Sequence, residues 1–294
     1  MYKLNPQCIT CILNKFINNM PEYASEDIKT DYMKGVLKIL SSYDNTITPP
    51  EIIAEITDYK NSLFGFGDDF SDVKKHFNKL MLSYETIYSD NIRNSKDSLK
   101  TALKFAMLGN YIDFGALDSV DETKLLNIPK ESENLHIDKK EYSSLLSDLK
   151  SAKKLVYLTD NCGEIVMDKL LIMEIKYLFP QINITVIVKG APVLNDATMI
   201  DAKYIGLDKI VTVIHNGNNI AGTVLSKSSI EAKSIIDKAD LIIAKGQANF
   251  ETLNGFDKNI YYLFLCKCSL YSTRFNVPQF TGLLLNEKRM YQKY

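Results

Sequence analysis

The sequence lacks any run of about 18 consecutive apolar residues, the length at which a membrane-spanning helix becomes a candidate. The first residues, Met1 to Pro6, also lack the apolar segment of a secretion signal. Lys and Arg number 35 against 36 Asp and Glu, so the net charge of −1 shows no basic excess for binding nucleic-acid phosphates. We therefore expect a cytoplasmic protein with neither a membrane nor a nucleic-acid partner.

Cysteine and histidine are scarce. Five cysteines are an odd number, and in a reducing compartment thiols stay free, bind metal or do redox chemistry rather than form a disulfide framework. The three histidines are scattered, and no Gly-x-Ser-x-Gly turn follows a predicted strand. A Ser-His-Asp hydrolase is therefore disfavoured.

The cysteines near the two ends leave alternatives open. Cys8 and Cys11 have metal-ligand spacing, and Cys266 and Cys268 would complete a structural zinc site if the ends met. Cys266 and Cys268 lie on one face of a predicted strand, which favours buried, apolar roles. Thioredoxin-like chemistry at Cys8 and Cys11 is disfavoured because no βαβ pattern surrounds them.

Two halves of the chain differ in their apolar pattern. In the first half, apolar residues such as Val73, Phe77 and Tyr84 recur at helical spacing, and the prolines after Thr48 mark a helix start. Beyond about residue 150, helical stretches alternate with short β-branched runs, which span 155–158, 184–188, 210–214, 241–244 and 260–265. This alternation predicts an α/β fold with a parallel sheet covered on both faces. We expect a helical domain at 1–130 and an α/β domain at 131–294.

Polar segments follow three of the predicted strands, at the edge where ligands of an open parallel sheet bind. Asp160 and Asn161 follow the first strand and offer hard oxygen ligands of the kind that Mg²⁺ or Mn²⁺ prefers. Asp196 adds a carboxylate beyond the second strand. The alternative is that these residues cap the helices that follow them.

Residues suited to an anion lie in the same segments. Gly163 allows a turn in which helix-start N–H groups face a phosphate. Lys189 and Lys245 each precede a glycine at a strand end, where an ammonium group pairs well with phosphate. Solvated loop lysines are the alternative. A metal and a phosphate side by side predict action on a phosphorylated small metabolite.

Three further residues are candidates for the phosphate side of the site. Asn249 lies in the polar segment after the fourth strand. Asn110 and Asp113 lie in a turn between Gly109 and Gly115, at the close of the helical half. Both can reach the site, although helix termination explains them equally well.

Together these segments resemble the damage-control phosphatases of the domain-of-unknown-function 89 group, also described as acidic-residue methyltransferase-like. The similarity extends over nearly the whole chain, and the order and spacing of the segments make it specific. The segments are CITC at 8–11, typical of one microbial subgroup, GNYIDFG at 109–115, DNCGE at 160–164, KGAPVLND at 189–196, KGQANFE at 245–251 and KC at 267–268.

The resemblance implies a helical domain packed on a Rossmann-like three-layer α/β/α sandwich. It also implies phosphatase activity towards phosphorylated metabolites, often damaged molecules or side products. A divalent ion (Mn²⁺, Co²⁺, Ni²⁺ or Mg²⁺) would be held by Asp160, Asn161 and Asp196, with Lys245 near the phosphate. Ala248 stands where the family pattern has a glycine.

The predicted reaction is metal-assisted phosphoryl transfer to water. Glu164 would orient the water or fix the metal ligands, and Lys189 would assist Lys245. An aspartyl-phosphate route is disfavoured because Cys162, not a carboxylate, stands two residues after Asp160. Two rivals remain: an S-adenosylmethionine-dependent carboxyl methyltransferase, which would want a more glycine-rich first loop, and a non-catalytic phosphometabolite-binding protein.

Overall fold

The computed structural model describes residues 4–65, 70–112 and 121–290, which form two compact units, Met1–Asp69 and Phe70–Tyr294. The boundary expected near residue 130 falls inside the second unit, because residues from Phe77 onwards share its core with the later α/β elements. None of the helices in these described ranges is both long and apolar enough to cross a membrane.

The first unit consists of three helices, α1 (Pro6–Asn18), α2 (Glu26–Ser42) and α3 (Pro49–Phe64). Helix α3 begins where predicted, because Thr48 and Glu51 form a reciprocal capping box behind the prolines of its first turn. Each helix buries one face in a common core. Its members are Ile12, Phe16, Tyr32, Val36, Leu40, Ile52 and Ile56.

The second unit begins with helices before its sheet starts. These are α4 (Ser71–Ser83), α5 (Glu85–Asn94), α6 (Ser98–Gly109), α7 (Glu122–Leu126), α8 (Ile128–Asn134) and α9 (Lys139–Ser151).

The sheet then alternates with helices. The strands are β1 (Lys154–Leu158), β2 (Asn183–Val188), β3 (Thr212–His215), β4 (Leu241–Lys245), β5 (Ile260–Leu265) and β6 (Gly282–Asn286). The helices are α10 (Glu164–Leu178), α11 (Met199–Tyr204), α12 (Ile230–Asp237), α13 (Gly246–Leu253), α14 (Ser269–Phe275) and α15 (Glu287–Met290). Five strands match the predicted runs, and β6 has no counterpart among them.

The strand order is β3-β2-β1-β4-β5-β6, with β6 antiparallel to β5 and the other pairs parallel. Strands β4, β5 and β6 are buried at every position. Because successive residues of a strand face opposite sides, both faces of the sheet are covered, and the predicted α/β fold is confirmed. The chain reverses its direction across the sheet between β1 and β4, which is where such sheets bind ligands.

Candidate active site

The three predicted metal ligands lie together at the carboxyl edge of the sheet. Asp160 and Asn161 follow β1, and Asp196 follows β2; Asn161 and Asp196 are paired in an isolated antiparallel bridge. The backbone N–H of Ala197 donates to the Asp160 carbonyl oxygen at 2.7 Å. All three ligand candidates are buried, with at most 6% of their surface exposed. Main-chain pairing of the two loops therefore brings these oxygen donors to one place.

Helix capping does not account for these residues. The first N–H groups at the start of α10, from Gly163 to Val166, bond to the Asn78 side chain and to the carbonyl oxygens of Cys162, Asn161 and Gly163. Helix α11 is capped by Thr198 in a box with Asp201. Neither Asp160 nor Asp196 is needed to begin the helix that follows it.

Two asparagines organise the carboxylates at the site. The Nδ2 atoms of Asn161 and Asn110 each donate to Asp160 Oδ2 at 2.9 Å and to Glu164 Oε2 at 3.0 Å. Asn110 comes from the end of α6, and its Oδ1 accepts the N–H of Leu265 at 3.1 Å. The structure thus brings Asn110 and Glu164 to the predicted ligands. Asp113 lies outside the described residues.

Lys189 follows β2, at the start of the loop that carries Asp196 (the second ligand loop; the first is the loop after β1 that carries Asp160 and Asn161). Its side chain is buried rather than solvated. Its Nζ is 3.5 Å from Asp196 Oδ2 and donates to the Gly222 carbonyl oxygen. Burial lowers the pKa of Lys189, and the negative charges of Asp196 and Asp160 partly oppose that change. Lys189 therefore places a cation directly against the predicted metal site.

Lys245, predicted to lie near the phosphate, ends β4 and is bonded within the protein. It is fully buried, and its Nζ donates to Asp168 Oδ1 at 2.7 Å, to the Ala106 carbonyl oxygen at 2.9 Å and to Glu164 Oε1. All three ammonium hydrogens have protein acceptors, so the expected contact with a phosphate would require breaking one of these bonds. Of the residues around the predicted ligands, Lys245 contacts Glu164.

Asp168 completes this buried network and was not predicted. Tyr157 donates its hydroxyl to Asp168 Oδ1 at 2.8 Å. Burial raises the pKa of Asp168 to about 7, although the neighbouring Lys245 opposes the shift. Burial lowers the pKa of Lys245, but the carboxylates of Asp168 and Glu164 outweigh burial and leave it raised. The available signal was an acidic pair four residues apart, separated by three apolar residues at the start of α10, since residues at that spacing share one helical face.

Gly163 and Asn249, both predicted for the phosphate side of the site, form hydrogen bonds within the protein. The N–H of Gly163 donates to Asn78 Oδ1 at 2.6 Å. Asn249 donates to the carbonyl oxygens of Thr159 at 3.1 Å and Lys245 at 2.7 Å. Its side chain is used to hold the ends of β1 and β4 together.

The Asp160 carboxylate occupies the space that a side chain at position 246 would fill, and Gly246 has no side chain. A Cβ at Gly246 would lie 1.9 Å from Asp160 Oδ2, and the residue has φ of +79°. We expect Gly246→Ala to displace Asp160 and to reduce metal-dependent hydrolysis at least about 10-fold, since 1.36 kcal/mol corresponds to a tenfold rate change. The measurement is phosphate release at saturating metal.

Gly206 offers a matched control for that substitution. It has a similar φ of +73°, but no atom lies within 4 Å of its absent Cβ. Both alanine variants should lose about 1–2 kcal/mol of stability from the left-handed backbone, while Gly206→Ala keeps full activity. Equal activity of the two variants would show that the space beside Asp160 is not critical.

None of the five cysteines forms a disulfide, and Cys162 lies in the same loop as Asp160 and Asn161. Strand β5 ends at Leu265, so the placement of Cys266 and Cys268 on one strand face is wrong: Cys266 is buried beyond the strand, and Cys268 is the residue before α14. Burial raises the pKa of Cys162 and Cys266, which keeps both thiols protonated.

The ligand set contains two carboxylates and one amide. Within residues 4–65, 70–112 and 121–290, no group of three or more His, Cys, Asp or Glu side chains is placed to hold a metal. The predicted set therefore depends on the Asn161 amide oxygen as its third donor. Oxygen donors of this kind fit a hard divalent ion.

The sequence matches a family described as the damage-control phosphatase ARMT1-like domain over residues 4–282. It is 31% identical over 281 residues to a damage-control phosphatase of Pyrococcus horikoshii, covering 94% of this chain and 96% of that protein. A damage-control phosphatase of Archaeoglobus fulgidus is 31% identical over 273 residues, covering 90% and 93%. An uncharacterized protein of Methanocaldococcus jannaschii is 32% identical over 294 residues, covering 96% and 95%.

The fold has a counterpart among solved structures. A crystal structure of a duf89 family protein from Pyrococcus horikoshii superimposes with a TM-score of 0.81 at 28% sequence identity. The match covers 98% of this chain and 100% of that one.

Proposed function

The chain belongs to the damage-control phosphatase ARMT1-like family, and from that premise we propose that it is a divalent-metal-dependent phosphatase acting on phosphorylated small metabolites in the cytoplasm. The observation that carries this proposal is the convergence of Asp160, Asn161 and Asp196 at the reversal point of the sheet. The subgroup suggested by Cys8 and Cys11 stays a prediction.

The ligand set suits Mn²⁺, Co²⁺, Ni²⁺ or Mg²⁺ held by the three oxygen donors. When bound there, the ion would draw charge from the phosphoryl oxygens and lower the pKa of the attacking water. Lys189 adds a positive charge beside Asp196, at the edge where a phosphate would approach. Phosphoric monoesters are the substrate class that we propose.

The other polar residues position these ligands. Glu164 receives hydrogen bonds from Asn110 and Asn161, and its second oxygen receives one from Lys245. Because Glu164 is anchored on one side by a buried cation, its Oε2 holds the two amides against Asp160. We assign Lys245 to this positioning role rather than to contact with the reacting phosphate.

The test is hydrolysis of a generic phosphate monoester by chelator-treated protein, with each of the four metals added back. We expect release of phosphate only with metal, and a panel of sugar phosphates, nucleotides and cofactor-derived phosphates should reveal a preferred substrate. Equal turnover in excess chelator, or none with any metal, would contradict the proposal. Binding of a phosphometabolite without hydrolysis would instead support the non-catalytic binding protein. Methyl transfer from S-adenosylmethionine would support the carboxyl methyltransferase.

A further inference from the structure

Helix α4 contacts both loops that carry the predicted metal ligands, although it contributes no ligand itself. Asn78 lies on this helix and is buried. Its Oδ1 accepts the N–H of Gly163 at 2.6 Å, and its Nδ2 donates to Asp201 Oδ1 at 2.8 Å. Gly163 belongs to the loop after β1, and Asp201 lies in the first turn of α11, the helix that follows the loop carrying Asp196. A single side chain therefore bridges the two loops.

The bond to Asp201 is itself firmly held. Asp201 Oδ2 accepts the N–H of Thr198 at 2.8 Å and its hydroxyl at 2.7 Å, and lies 2.7 Å from the Nζ of Lys74. The backbone of Thr198 forms a bridge with Lys189. Both carboxylate oxygens of Asp201 thus have donors, and their arrangement fixes which way the Asn78 amide points.

The bond to Gly163 is enforced by close packing. Gly163 has φ of +69°, and a Cβ there would lie 2.9 Å from Ile112 Cδ1 and 3.0 Å from Phe77 Cβ. The next residue, Glu164, accepts hydrogen bonds from Asn161. Any shift of Gly163 relative to α4 is therefore passed to the Asn161 side chain through Glu164.

We propose that Asn78 and Asp201 form a clamp, meaning that they are positioning residues that fix the turn into α10 in the orientation that presents the Asn161 amide to the divalent ion. The presence of a divalent ion rests on the proposed function, whereas the clamp can also be tested in protein without metal. Backbone bonds between the loops, such as Cys162 N–H to the Asn195 carbonyl oxygen at 2.8 Å, set their pairing. The clamp sets the orientation of the turn into α10, and with it the Asn161 amide.

The first test replaces Asn78 with leucine, which is similar in size but has no polar group. We expect the Kd for Mn²⁺, measured by calorimetry without substrate, to rise at least about 10-fold, as for other residues that support metal ligands. Amide hydrogen exchange of residues 158–166, measured without metal, should become faster because Gly163 loses its acceptor.

The matched control is Asp240→Ala. Asp240 accepts the N–H groups of Lys153 and Lys154, both at 2.9 Å, at the opposite end of the sheet. Its loss also removes side-chain support from two backbone donors, so it should destabilise the fold without changing Mn²⁺ affinity or exchange in residues 158–166.

Reversing the polarity of the bridge provides a rescue. Asn78→Asp places two carboxylates face to face. Asp201→Asn places the N–H donors of a new amide against the donors of Asn78 or Thr198, which bond to Asp201 in the unmodified protein. Each variant alone should therefore weaken Mn²⁺ binding. In the double variant, the new carboxylate at position 78 can accept from the Gly163 N–H and from the new amide at position 201. The oxygen of that amide can still accept from Thr198. The Kd should return to within about 3-fold of the original value, a recovery of at least about 0.7 kcal/mol relative to a 10-fold loss.

The outcomes separate the two proposals. If the unmodified protein binds no Mn²⁺ but Asn78→Leu still accelerates exchange in residues 158–166, the metal site is contradicted and the clamp stands. Unchanged exchange in folded Asn78→Leu overturns the clamp. If the unmodified protein binds Mn²⁺, a fall in affinity no larger than in Asp240→Ala overturns it as well. Should Asn78→Leu fail to fold, lack of rescue in the double variant overturns it equally.

Discussion

Asp160→Asn is expected to reduce metal-dependent phosphate release at least about 100-fold, because a divalent ion contributes several kcal/mol of charge stabilisation and loses an anionic ligand. Asparagine preserves the size of the side chain, and its one oxygen can still accept from Asn110 or Asn161, which bond to Asp160 in the parent. The loss should therefore be chemical rather than structural. Initial rates at saturating Mn²⁺, with folding checked by thermal melting, give the measurement.

The control for this variant is Asp240→Asn, the same substitution at the amino-terminal end of β4. Its rate should stay near that of the parent protein. If Asp160→Asn retains the rate of Asp240→Asn, Asp160 is not a ligand of the reactive metal and the proposed mechanism fails.

Lys245→Met is expected to lower the free energy of unfolding by about 3–5 kcal/mol, because removing one partner leaves buried charge without compensation. Glu164 and Asp168 both bond to this ammonium and are fully buried. Methionine fills the volume but donates no hydrogen bond. Urea denaturation followed by circular dichroism measures the loss.

The loss should depend on pH in a defined direction. Burial already raises the pKa of Asp168, and removal of Lys245 takes away the cation that opposes this shift. The folded variant then binds a proton that the unfolded chain releases, so its stability falls as pH rises from about 5 to about 8. The deficit against the parent protein should therefore be larger at the higher pH.

Two further variants identify the cause. Lys288→Met removes an exposed lysine that lies 4.0 Å from Asp257 and should change stability by less than about 1 kcal/mol. Lys245→Met combined with Asp168→Asn removes one of the two buried carboxylates that have lost their cation, and it should recover part of the lost stability. A Lys245→Met protein as stable as Lys288→Met would show that the network contributes little.

The fold was largely predictable, because its signals are local. Five runs of β-branched residues alternate with helical patterns, and each becomes a strand of the sheet. Strand β6 has no counterpart among these runs, because its sequence, Gly282–Asn286, contains no β-branched or aromatic residue; it pairs antiparallel with β5 beyond α14. Thr48 and its prolines marked the start of α3 for an equally local reason.

The sequence predicted that the candidate oxygen donors would lie together, but it did not predict which side chains surround them. Asp160, Asn161 and Asp196 stand at strand ends, and parallel strands deliver those ends to one edge whatever the details of packing. Lys245 was expected to meet a phosphate, whereas the structure buries its ammonium against Asp168 and Glu164. A lysine at a strand end carries the same sequence pattern in either case.

The sequence by itself determined the order of elements, the family and the oxygen donors at the strand ends, because periodicity and spacing are properties of neighbouring residues. Only the tertiary structure decided which partners those donors have. Asn78 meets Gly163 across 85 positions, and Lys245 meets the Ala106 carbonyl oxygen across 139. Such contacts form when helices pack against the sheet, and no local pattern encodes which distant side chain will satisfy a buried donor.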